Sequence, residues 1–462
     1  MVPAAPVLTP EQELATFALP AGYTIELVAS EPLLGDPVCI AFDERGAPAV
    51  CEMRAYMPDV DGTAERAATG CAVLLEDTDG DGHCDERRLI ADGLALPRAL
   101  APCRGGWLVL APPELLWFAD EDEDGKFERR EVWDRGLGGL DSPEHAINGL
   151  VQAPDGRYLC ANVPWDYAFE DASAPGRLVR VGANARGQWG ISLDASGRQY
   201  FNSNEDPLRM AAIPPRYAVR NPALGTALGA DLRVLEDRSV ESARVNAGVN
   251  RGYRDGVLRE DGRLARYTAA CAPLYVPRER AELLGAEATD SVFVCEPAGN
   301  LVARVELAED ELGRAKARPT RRADGRDFLT STDERFRPVS LALGPDGALY
   351  VVDMYRGVIQ HKLFVTSFLR KQVESRGLAQ PTGLGRIWRV RRTDAQRAGA
   401  KSTAAAEILP RSLDAELAAI RAGELAAATD DEVLANWRAA AARSPRLRWQ
   451  VLLSAGELPA AR

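Results

Sequence analysis

Three histidines are the side chains of this chain best suited to proton transfer near neutral pH: His83, His145 and His361. His145 lies in SPEHAINGLVQAPDGRYL, directly before a run with the pattern of a β-strand. His83 lies in an acidic loop, and His361 lies in RGVIQHKLF, where a structural role is favoured. The sequence therefore predicts His145 as a general base, and a hydrogen-bonded loop histidine is the alternative interpretation.

Arginines could hold an anionic group beside such a base. Arg335 and Arg337 lie in RFRPVSLALGPDG, again directly before a predicted strand, and Arg186 occupies the same place before another. A guanidinium binds carboxylates and phosphates through two parallel hydrogen bonds, so we expect these three to bind a cofactor or substrate. Surface arginines are the alternative. Asn148, at a strand end, is a further candidate for cofactor binding. Weaker candidates at strand ends are Asn202, Asn204, Asp353, Tyr355 and Arg356.

The segment DEDEDGKFERRE, from Asp120 to Glu131, has carboxylates at positions 1, 3, 5, 9 and 12 and glycine at position 6. This is the spacing of a calcium loop, because a hard cation needs six or seven oxygen ligands. The predicted ligands are Asp120, Asp122, Asp124 and Glu131 by side chain, Lys126 by its carbonyl, and Glu128 directly or through water. A solvated acidic turn is the alternative.

A second acidic loop, DTDGDGHCD, has aspartates at positions 1, 3, 5 and 9. These are Asp77, Asp79, Asp81 and Asp85. Arg88 stands at position 12, where a bidentate glutamate is usual, so calcium and a bare acidic turn are equally favoured. Both loops would have a structural role.

The elements that must position these residues are recurrent hairpins. An apolar β-prone run, a short turn and a second run occur from Pro37, Leu96, Ile147, Trp189 and Arg337. A variant with a different turn begins at Thr289. Six copies at blade-sized spacing predict a six-bladed β-propeller, an all-β fold, over residues 1–392. Residues 393–462 are rich in Ala, Leu, Glu and Arg and predict a linker with a short α-helical tail, or the start of helical repeats.

Composition limits the partners. The net charge of −12 argues against non-specific nucleic-acid binding. No apolar run is long enough to span a membrane, and the first twenty residues lack the pattern of a signal peptide. Eight cysteines form no CxxC pair, which excludes zinc ribbons and CxxCH haem attachment. Buried thiols are favoured, with one or two disulfides as the alternative.

The chain resembles the “membrane-bound dehydrogenase” propellers of Planctomycetes and Verrucomicrobia over residues 15–392. The motifs are FALPAGYTIELVASEPLLGDPVCIAFDERG, LLEDTDGDGHCDERRLIADGL, EHAINGL, FVCEPAGNLV and RPVSLALGPDGALYVVDMYRGVIQH. The resemblance implies an exported, periplasmic protein. In that family helical repeats and a cytochrome domain often follow the propeller.

That family is in turn similar to soluble quinoprotein sugar dehydrogenases, six-bladed propellers that use pyrroloquinoline quinone (PQQ) and calcium. The resemblance implies that His145, followed by Leu150 and Pro154-Asp155, takes the substrate proton. It also implies that Arg335 and Arg337 hold the quinone carboxylates.

Arg186 matches a further quinone-contacting arginine, but Gly187 replaces the asparagine that follows it in those enzymes. The lysine expected between Glu296 and Asn300 is absent, and Ala298 stands there.

The leading hypothesis is a sugar or alcohol dehydrogenase that passes electrons to a separate cytochrome or other acceptor. A calcium-stabilised propeller that binds carbohydrate or protein without catalysis is the second hypothesis. A calcium-dependent propeller hydrolase or lactonase is the third, with Asn148, Asn202, Asn204 and Asp353 around an axial ion.

Overall fold

The computed structural model describes residues 2–122, 124–153, 156–170, 177–182, 186–194, 197–212, 229–309 and 315–395. Within these ranges the chain is built almost entirely of short strands. The strands are β1 (Phe17–Ala18), β2 (Tyr23–Ser30), β3 (Pro37–Phe42), β4 (Pro48–Glu52), β5 (Gly70–Glu76), β6 (Glu86–Leu94), β7 (Ala99–Cys103), β8 (Gly106–Ala111), β9 (Glu114–Ala119), β10 (Arg129–Arg135), β11 (Asn148–Gln152), β12 (Tyr158–Ala161), β13 (Trp165–Phe169), β14 (Leu178–Gly182), β15 (Ser192–Leu193), β16 (Gln199–Ser203), β17 (Asp206–Ala211), β18 (Leu232–Arg233), β19 (Cys271–Val276), β20 (Ser291–Glu296), β21 (Leu301–Glu309), β22 (Ala315–Thr320), β23 (Leu329–Ser331), β24 (Pro338–Leu343), β25 (Leu349–Asp353) and β26 (Arg386–Arg392). The α-helices are α1 (Pro10–Leu14) and α2 (Ser367–Arg376).

The strands form six antiparallel sheets, which are the blades of a six-bladed β-propeller, as predicted. Blades one to four are β3–β6, β7–β10, β11–β14 and β15–β18, each in simple chain order. Blade five contains β19, β20, β21 and β23, with β1 at its edge and β22 paired to β21. Blade six contains β24, β25, β26 and β2. The first strands of neighbouring blades contact one another and surround the axis.

Blade six closes the ring by joining both ends of the propeller. Its outer strand β2 comes from the N-terminal segment and pairs with β26, in a register that sets Tyr23 opposite Arg392 and Ser30 opposite Arg386. This closure packs blade six between blades five and one and covers blade faces that an open array would expose.

Burial along the strands follows from their place in the blade. Inner strands are packed on both faces. The strands β4, β8 and β20 are therefore buried along their whole length, and most of their residues are apolar. Outer strands such as β6 and β10 have one solvated side and carry charged residues. Apolar clusters between neighbouring blades form the core.

Five of the predicted hairpins are the first and second strands of blades one, two, three, four and six. The variant at Thr289 is different, because it contains the second and third strands of blade five, β20 and β21. The first strand of that blade, β19, lies further upstream and reaches β20 through a long connection over residues 277–290. The different turn noted in the sequence therefore marks a different position within the blade.

Successive antiparallel strands reverse direction, so their connections alternate between two faces of the propeller. The upper face carries the loops that lead into each first strand and the connections between second and third strands. The lower face carries the remaining turns.

The last propeller strand ends at Arg392. The predicted linker and helical tail lie outside the described residues from residue 396 onward. That part of the domain division stays a prediction.

Candidate functional site

His145 lies on the upper face, at the end of a short 3-10 turn, Pro143–His145, that leads into β11. Its side chain is exposed. The imidazole Nε2 lies 3.1 Å from the amide nitrogen of Gln188, which belongs to the loop leading into the next blade. The ring of Phe364 packs edge-on against the imidazole at a centroid distance of 4.7 Å. Three loops that are distant in sequence therefore meet at this histidine.

The surroundings of His145 favour its neutral form. Partial burial lowers the pKa of the imidazole, and the nearby His361 lowers it further. A histidine whose pKa falls below its ordinary value is unprotonated at pH 7 and can accept a proton there.

Amide side chains border the imidazole. Gln188 also accepts a hydrogen bond from the backbone NH of Asn204 at 3.4 Å, which links it to blade four. On the other side, the amide of Asn250 donates to Oε1 of Gln360 at 3.1 Å and to the backbone carbonyl of Phe364 at 2.8 Å. The loop that carries Phe364 is thereby fixed to the long connection before β19.

A buried network of hydrogen bonds around Glu144 lies beside the loops that surround His145. Oε1 of Glu144, the residue before His145, accepts a 2.6 Å hydrogen bond from the hydroxyl of Tyr56. The backbone NH of His361 also donates to Oε1, and Oε2 accepts from the amide of Gln360 at 2.9 Å. Burial raises the pKa of the Glu144 carboxyl. These bonds fix the 3-10 turn that presents His145.

His361 is fully buried, and its Nε2 lies 2.8 Å from Oε2 of Glu65. Lys362 lies 3.2 Å from the same carboxylate oxygen. Burial alone would raise the pKa of Glu65, but the hydrogen bonds from His361 and Lys362 outweigh it, and the pKa is lowered. This arrangement agrees with the structural role that the sequence favoured for His361.

Asn148, the first residue of β11, acts as a connector between loops. Its amide nitrogen donates to the carbonyls of Ala146 and Gln188, at 2.9 and 2.7 Å, and its oxygen accepts from the backbone NH of Gly190 at 2.8 Å. The side chain is buried and holds the loop that carries Gln188 against the loop that carries His145. Its predicted role in cofactor binding stays a prediction.

Arg337 is buried just before β24, and all three of its guanidinium nitrogens donate to backbone carbonyls. The acceptors are Arg356, Pro297 and Gly357, at 2.9, 2.6 and 3.2 Å respectively. Burial lowers its pKa to about 10. The side chain thus satisfies carbonyls of the loops after β20 and β25.

Arg335 is also buried, and it holds the N-terminal segment. Its guanidinium donates to the carbonyls of Ala5 at 3.3 Å and Gln380 at 3.0 Å. Arg186 forms a buried ion pair with Asp166 of β13. Each of the three predicted arginines therefore has protein partners where it lies, and their place around His145 stays a prediction.

The weaker candidates at strand ends are mostly structural as well. Asp353 accepts hydrogen bonds from the backbone NH groups of Arg337 and Tyr355, at 2.7 and 2.8 Å. Arg356 forms a buried ion pair with Asp36 at 2.7 Å. Asn202 is buried in β16, and neither atom of its amide has a partner among the described residues.

The first acidic loop connects β9 to β10 on the lower face. Ligand atoms of Asp120, Asp122, Asp124 and Glu128 lie within 4.8 Å of one another. Gly125 has φ +88°, the left-handed conformation that a side chain would disfavour, and its NH donates to Asp120. Glu131 instead contacts Arg129 and the indole NH of Trp133. The side chain of Lys126 pairs with Asp124.

The second acidic loop connects β5 to β6 on the same face. Asp77, Asp79 and Asp81 have ligand atoms within 4.8 Å of one another, and Gly82 has φ +95°. Asp85 instead accepts hydrogen bonds from the backbone and hydroxyl of Thr78. Both clusters lie on the face opposite His145, so an ion in either loop would not touch a substrate at the upper face.

PQQ carries several carboxylates, so a site for it needs cationic donors that face the ligand. The guanidinium of Arg337 donates to three backbone carbonyls, Arg335 binds the N-terminal segment, and Arg186 is paired with Asp166. No lysine lies between residues 296 and 300. The three predicted arginines therefore already have protein partners, and their binding of the quinone stays a prediction.

Sequence reasoning missed the residues that surround His145: Gln188, Gln360, Glu144 and Asn250. Gln188 and Glu144 carried one usable signal, because each lies in a segment already singled out as leading into a first strand. Asn250 and Gln360 lie 110 residues apart, and no local pattern joins them.

The fold and this loop cluster define a six-bladed propeller with a polar site around a histidine on its upper face. The chain belongs to the family described as a domain of unknown function, DUF7133, whose model matches residues 9–394. A comparison with the curated proteins finds no match. Membership of the planctomycete and verrucomicrobial dehydrogenase propellers stays a prediction.

Solved structures with a similar fold include the holo form of the pyranose dehydrogenase PQQ domain from Coprinopsis cinerea. It is 13% identical, with 81% of this chain and 97% of that chain covered and a TM-score of 0.45. An AA12 carbohydrate-active enzyme from Trichoderma reesei is 11% identical, with 82% and 98% covered and a TM-score of 0.46. A streptogramin B lyase is 10% identical, with 82% and 99% covered and a TM-score of 0.38. These likenesses concern the fold alone.

Among the described residues, no helix has the length and apolar character needed to cross a membrane.

Proposed function

We propose that the chain oxidises a hydroxyl group of a sugar-like small molecule on the upper face, with His145 as the general base. The observation that supports this proposal most strongly is an exposed imidazole, with a lowered pKa, among amide side chains where three loops meet. A base of this kind is matched to the removal of a hydroxyl proton at neutral pH.

The hydrogen bond to Gln188 supports Nε2 as the atom that accepts the proton. The amide nitrogen of Gln188 donates, so Nε2 of His145 accepts, and the ring proton is on Nδ1. A substrate hydroxyl that replaces this amide donates to the same lone pair. The proton then moves to Nε2, and the hydride leaves the substrate carbon for the electron acceptor.

The hydride acceptor is proposed to be a separate two-electron acceptor such as a soluble quinone, which takes the hydride and a proton and becomes the quinol. A cytochrome partner would then reoxidise the quinol in one-electron steps. An acceptor that is not resident is favoured, because the predicted guanidiniums already bind backbone carbonyls or an aspartate. The proposed role of the chain is therefore to bind the substrate and take its proton.

A dye-linked assay over a panel of sugars and polyols, with and without added PQQ, tests this proposal. The proposal expects dye reduction that does not require PQQ and that H145A abolishes. Isothermal titration with the same panel runs beside it. If no sugar gives turnover or binding under any of these conditions, the proposal fails.

The second candidate is a propeller that binds carbohydrate without turning it over. The protein partners of the arginines favour it, because Arg337 and Arg335 already donate to backbone carbonyls. Binding of a sugar that H145A weakens, without dye reduction, would select this function over the first.

The hydrolase hypothesis stays an alternative. Two of its proposed axial ligands, Asn148 and Asp353, form hydrogen bonds with backbone groups of neighbouring loops, whereas the buried amide of Asn202 has no partner among the described residues. Among the residues described, the acidic clusters with metal-ligand spacing are the two loops of the lower face.

We further propose that both acidic loops bind calcium in a structural role. The first loop brings four carboxylates together, and Oδ1 of Asp120 is buried without a hydrogen-bond partner. Weak calcium loops suit a calcium-rich compartment, so this proposal goes with the expected export of the protein.

A further inference from the structure

Two pairs of cysteines are directly opposed across neighbouring strands. Cys39 of β3 is the register partner of Cys51 of β4, in blade one. Cys271 of β19 is the register partner of Cys295 of β20, in blade five. All four are thiols in the structure. Both pairs join the first and second strands of a blade, so they occupy equivalent positions in the propeller.

Each pair shares one face of its blade. Cys51 is buried in the cluster between blades one and two, and Cys39 packs against that same cluster. Cys271 and Cys295 lie together in another cluster. Within each pair the neighbouring thiol adds to the effect of burial and raises the pKa of Cys51 and of Cys295.

The geometry of an antiparallel ladder suits a covalent bond at these positions. Directly opposed residues have Cα atoms about 4.5–5.5 Å apart, within the range of about 4.4–6.8 Å that disulfides span. The remaining cysteines lack such an opposed partner. Cys71 faces Glu52, Cys103 faces Gly106, Cys160 faces Gly149, and Cys84 lies in the loop before β6.

We propose that Cys39–Cys51 and Cys271–Cys295 are disulfide sites, which bridge the first two strands of blades one and five when the chain folds in an oxidising compartment. The two sites flank blade six, because β24 contacts β19 on one side and β3 on the other. Blade six is the blade that joins the two ends of the propeller. The bridges would therefore strengthen the blades on both sides of the closure.

The oxidant is a small-molecule disulfide such as oxidised glutathione. One cysteine thiolate attacks the glutathione disulfide, a mixed disulfide forms, and one glutathione thiol leaves. The opposed cysteine loses its proton and displaces the second glutathione. Two protein thiols are oxidised by two electrons, and one glutathione disulfide is reduced to two thiols.

Access differs between the members of each pair. Cys39 is partly exposed and Cys51 is fully buried, while Cys271 is 8% exposed and Cys295 is fully buried. The thiolates of Cys39 and Cys271 are therefore the ones that first attack the glutathione disulfide. Burial raises the pKa of Cys51 and Cys295, which slows exchange in the folded protein, so the bridges form most readily during folding.

Refolding in a glutathione redox buffer tests this inference. The chain is refolded from urea with oxidised and reduced glutathione, alkylated without reduction and mapped by mass spectrometry. We expect cross-linked peptides for Cys39–Cys51 and Cys271–Cys295, each lighter by about 2 Da than its reduced pair. The other four of the eight cysteines should be alkylated. A sample refolded with reductant, which should carry eight alkylated cysteines, is the control.

A second measurement uses the folded chain, incubated with oxidised glutathione for days, so that the test does not depend on refolding. The same two cross-links should appear, and C39S/C51S should lose only the first of them. Eight alkylated cysteines by both routes would overturn the proposal. A Cys51–Cys71 bridge would overturn it too, because Cys71 packs in a different cluster from Cys51.

Discussion

Nε2 of His145 and the side-chain amide nitrogen of Gln188 lie 3.1 Å apart, although they belong to the loops leading into two successive blades. The buried amide of Asn148 ties these two loops together. The propeller thus orients the proposed base through a contact between blades rather than within one.

Gln188→Ala tests this orienting contact. The substrate hydroxyl takes the place of this amide on Nε2, so Gln188 acts on the free enzyme, where it holds the imidazole in position. Without it we expect kcat/KM to fall about ten- to hundredfold. The melting temperature should change little, because Gln188 is half exposed. Steady-state kinetics and a thermal melt measure the two effects. An unchanged kcat/KM would show that Gln188 does not orient the base.

The pH dependence of kcat/KM reports the protonation of His145 in the free enzyme. Its pKa is lowered from the ordinary value of 6.5, first by burial and then by His361. Activity should therefore be constant around pH 7 and fall on the acid side at a pH below 6.5. An acid limb centred above pH 7 would contradict a neutral, partly desolvated base.

Arg337→Met distinguishes a structural arginine from a cofactor-binding one. The substitution leaves three buried carbonyls without their charged donor, so we expect the free energy of unfolding to fall by about 2–5 kcal/mol. Urea denaturation measures the change, with the exposed Arg45→Met as the control. Unchanged stability with a raised KM for a quinone acceptor would instead restore the predicted role in cofactor binding.

Asp353 gives a pH dependence of stability with a definite sign. Burial raises its pKa to about 6, and its carboxyl is coupled to the buried Glu13. A carboxyl with a raised pKa stabilises the fold below its unfolded pKa and loses this contribution as the pH rises through about 6.

Asp353→Asn keeps the oxygen that accepts from Arg337 and Tyr355 but cannot ionise. The stability of the variant minus that of the wild type should therefore be greater at pH 7.5 than at pH 5, by roughly 1–3 kcal/mol. Melting temperatures of both proteins at the two pH values measure this difference. If the melting temperatures of the two proteins differ by the same amount at both pH values, the shifted pKa is contradicted.

The proposed calcium loops predict a stability effect that is separate from activity. Calcium should raise the melting temperature, and Asp122→Asn should reduce that rise, because it removes one of four clustered carboxylates. Asp92→Asn, an exposed position outside the loops, is the control. Kinetics should not change, since the loops lie on the face opposite His145. Equal melting temperatures with calcium and with chelator would refute the site.

The fold could be predicted from the sequence because each blade begins with a local hairpin whose strands and turn lie within about twenty residues. Blade five was the exception, since its first strand β19 is separated from β20 by a long connection. The position of His145 at the head of a first strand followed from the same local pattern.

The environment of the arginines could not be predicted in this way. Arg335 contacts Ala5, which is 330 residues away in the chain, and Arg337 contacts Pro297, which is 40 residues away. An arginine before a strand indicated anion binding. In the fold, however, the guanidiniums of Arg335 and Arg337 bind backbone carbonyls that belong to distant parts of the chain. The same reasoning explains why Glu144 was missed, because its partners come from the connections after β4 and β25.

The most direct test of the central claim is kcat for the best sugar substrate in H145A and H83A, with binding measured in parallel. His83 lies in the acidic loop of the lower face, so H83A should match the wild type. H145A should lose about 10²- to 10⁴-fold in kcat while it still binds the sugar. Equal turnover by H145A and H83A would contradict the assignment of His145 as the general base.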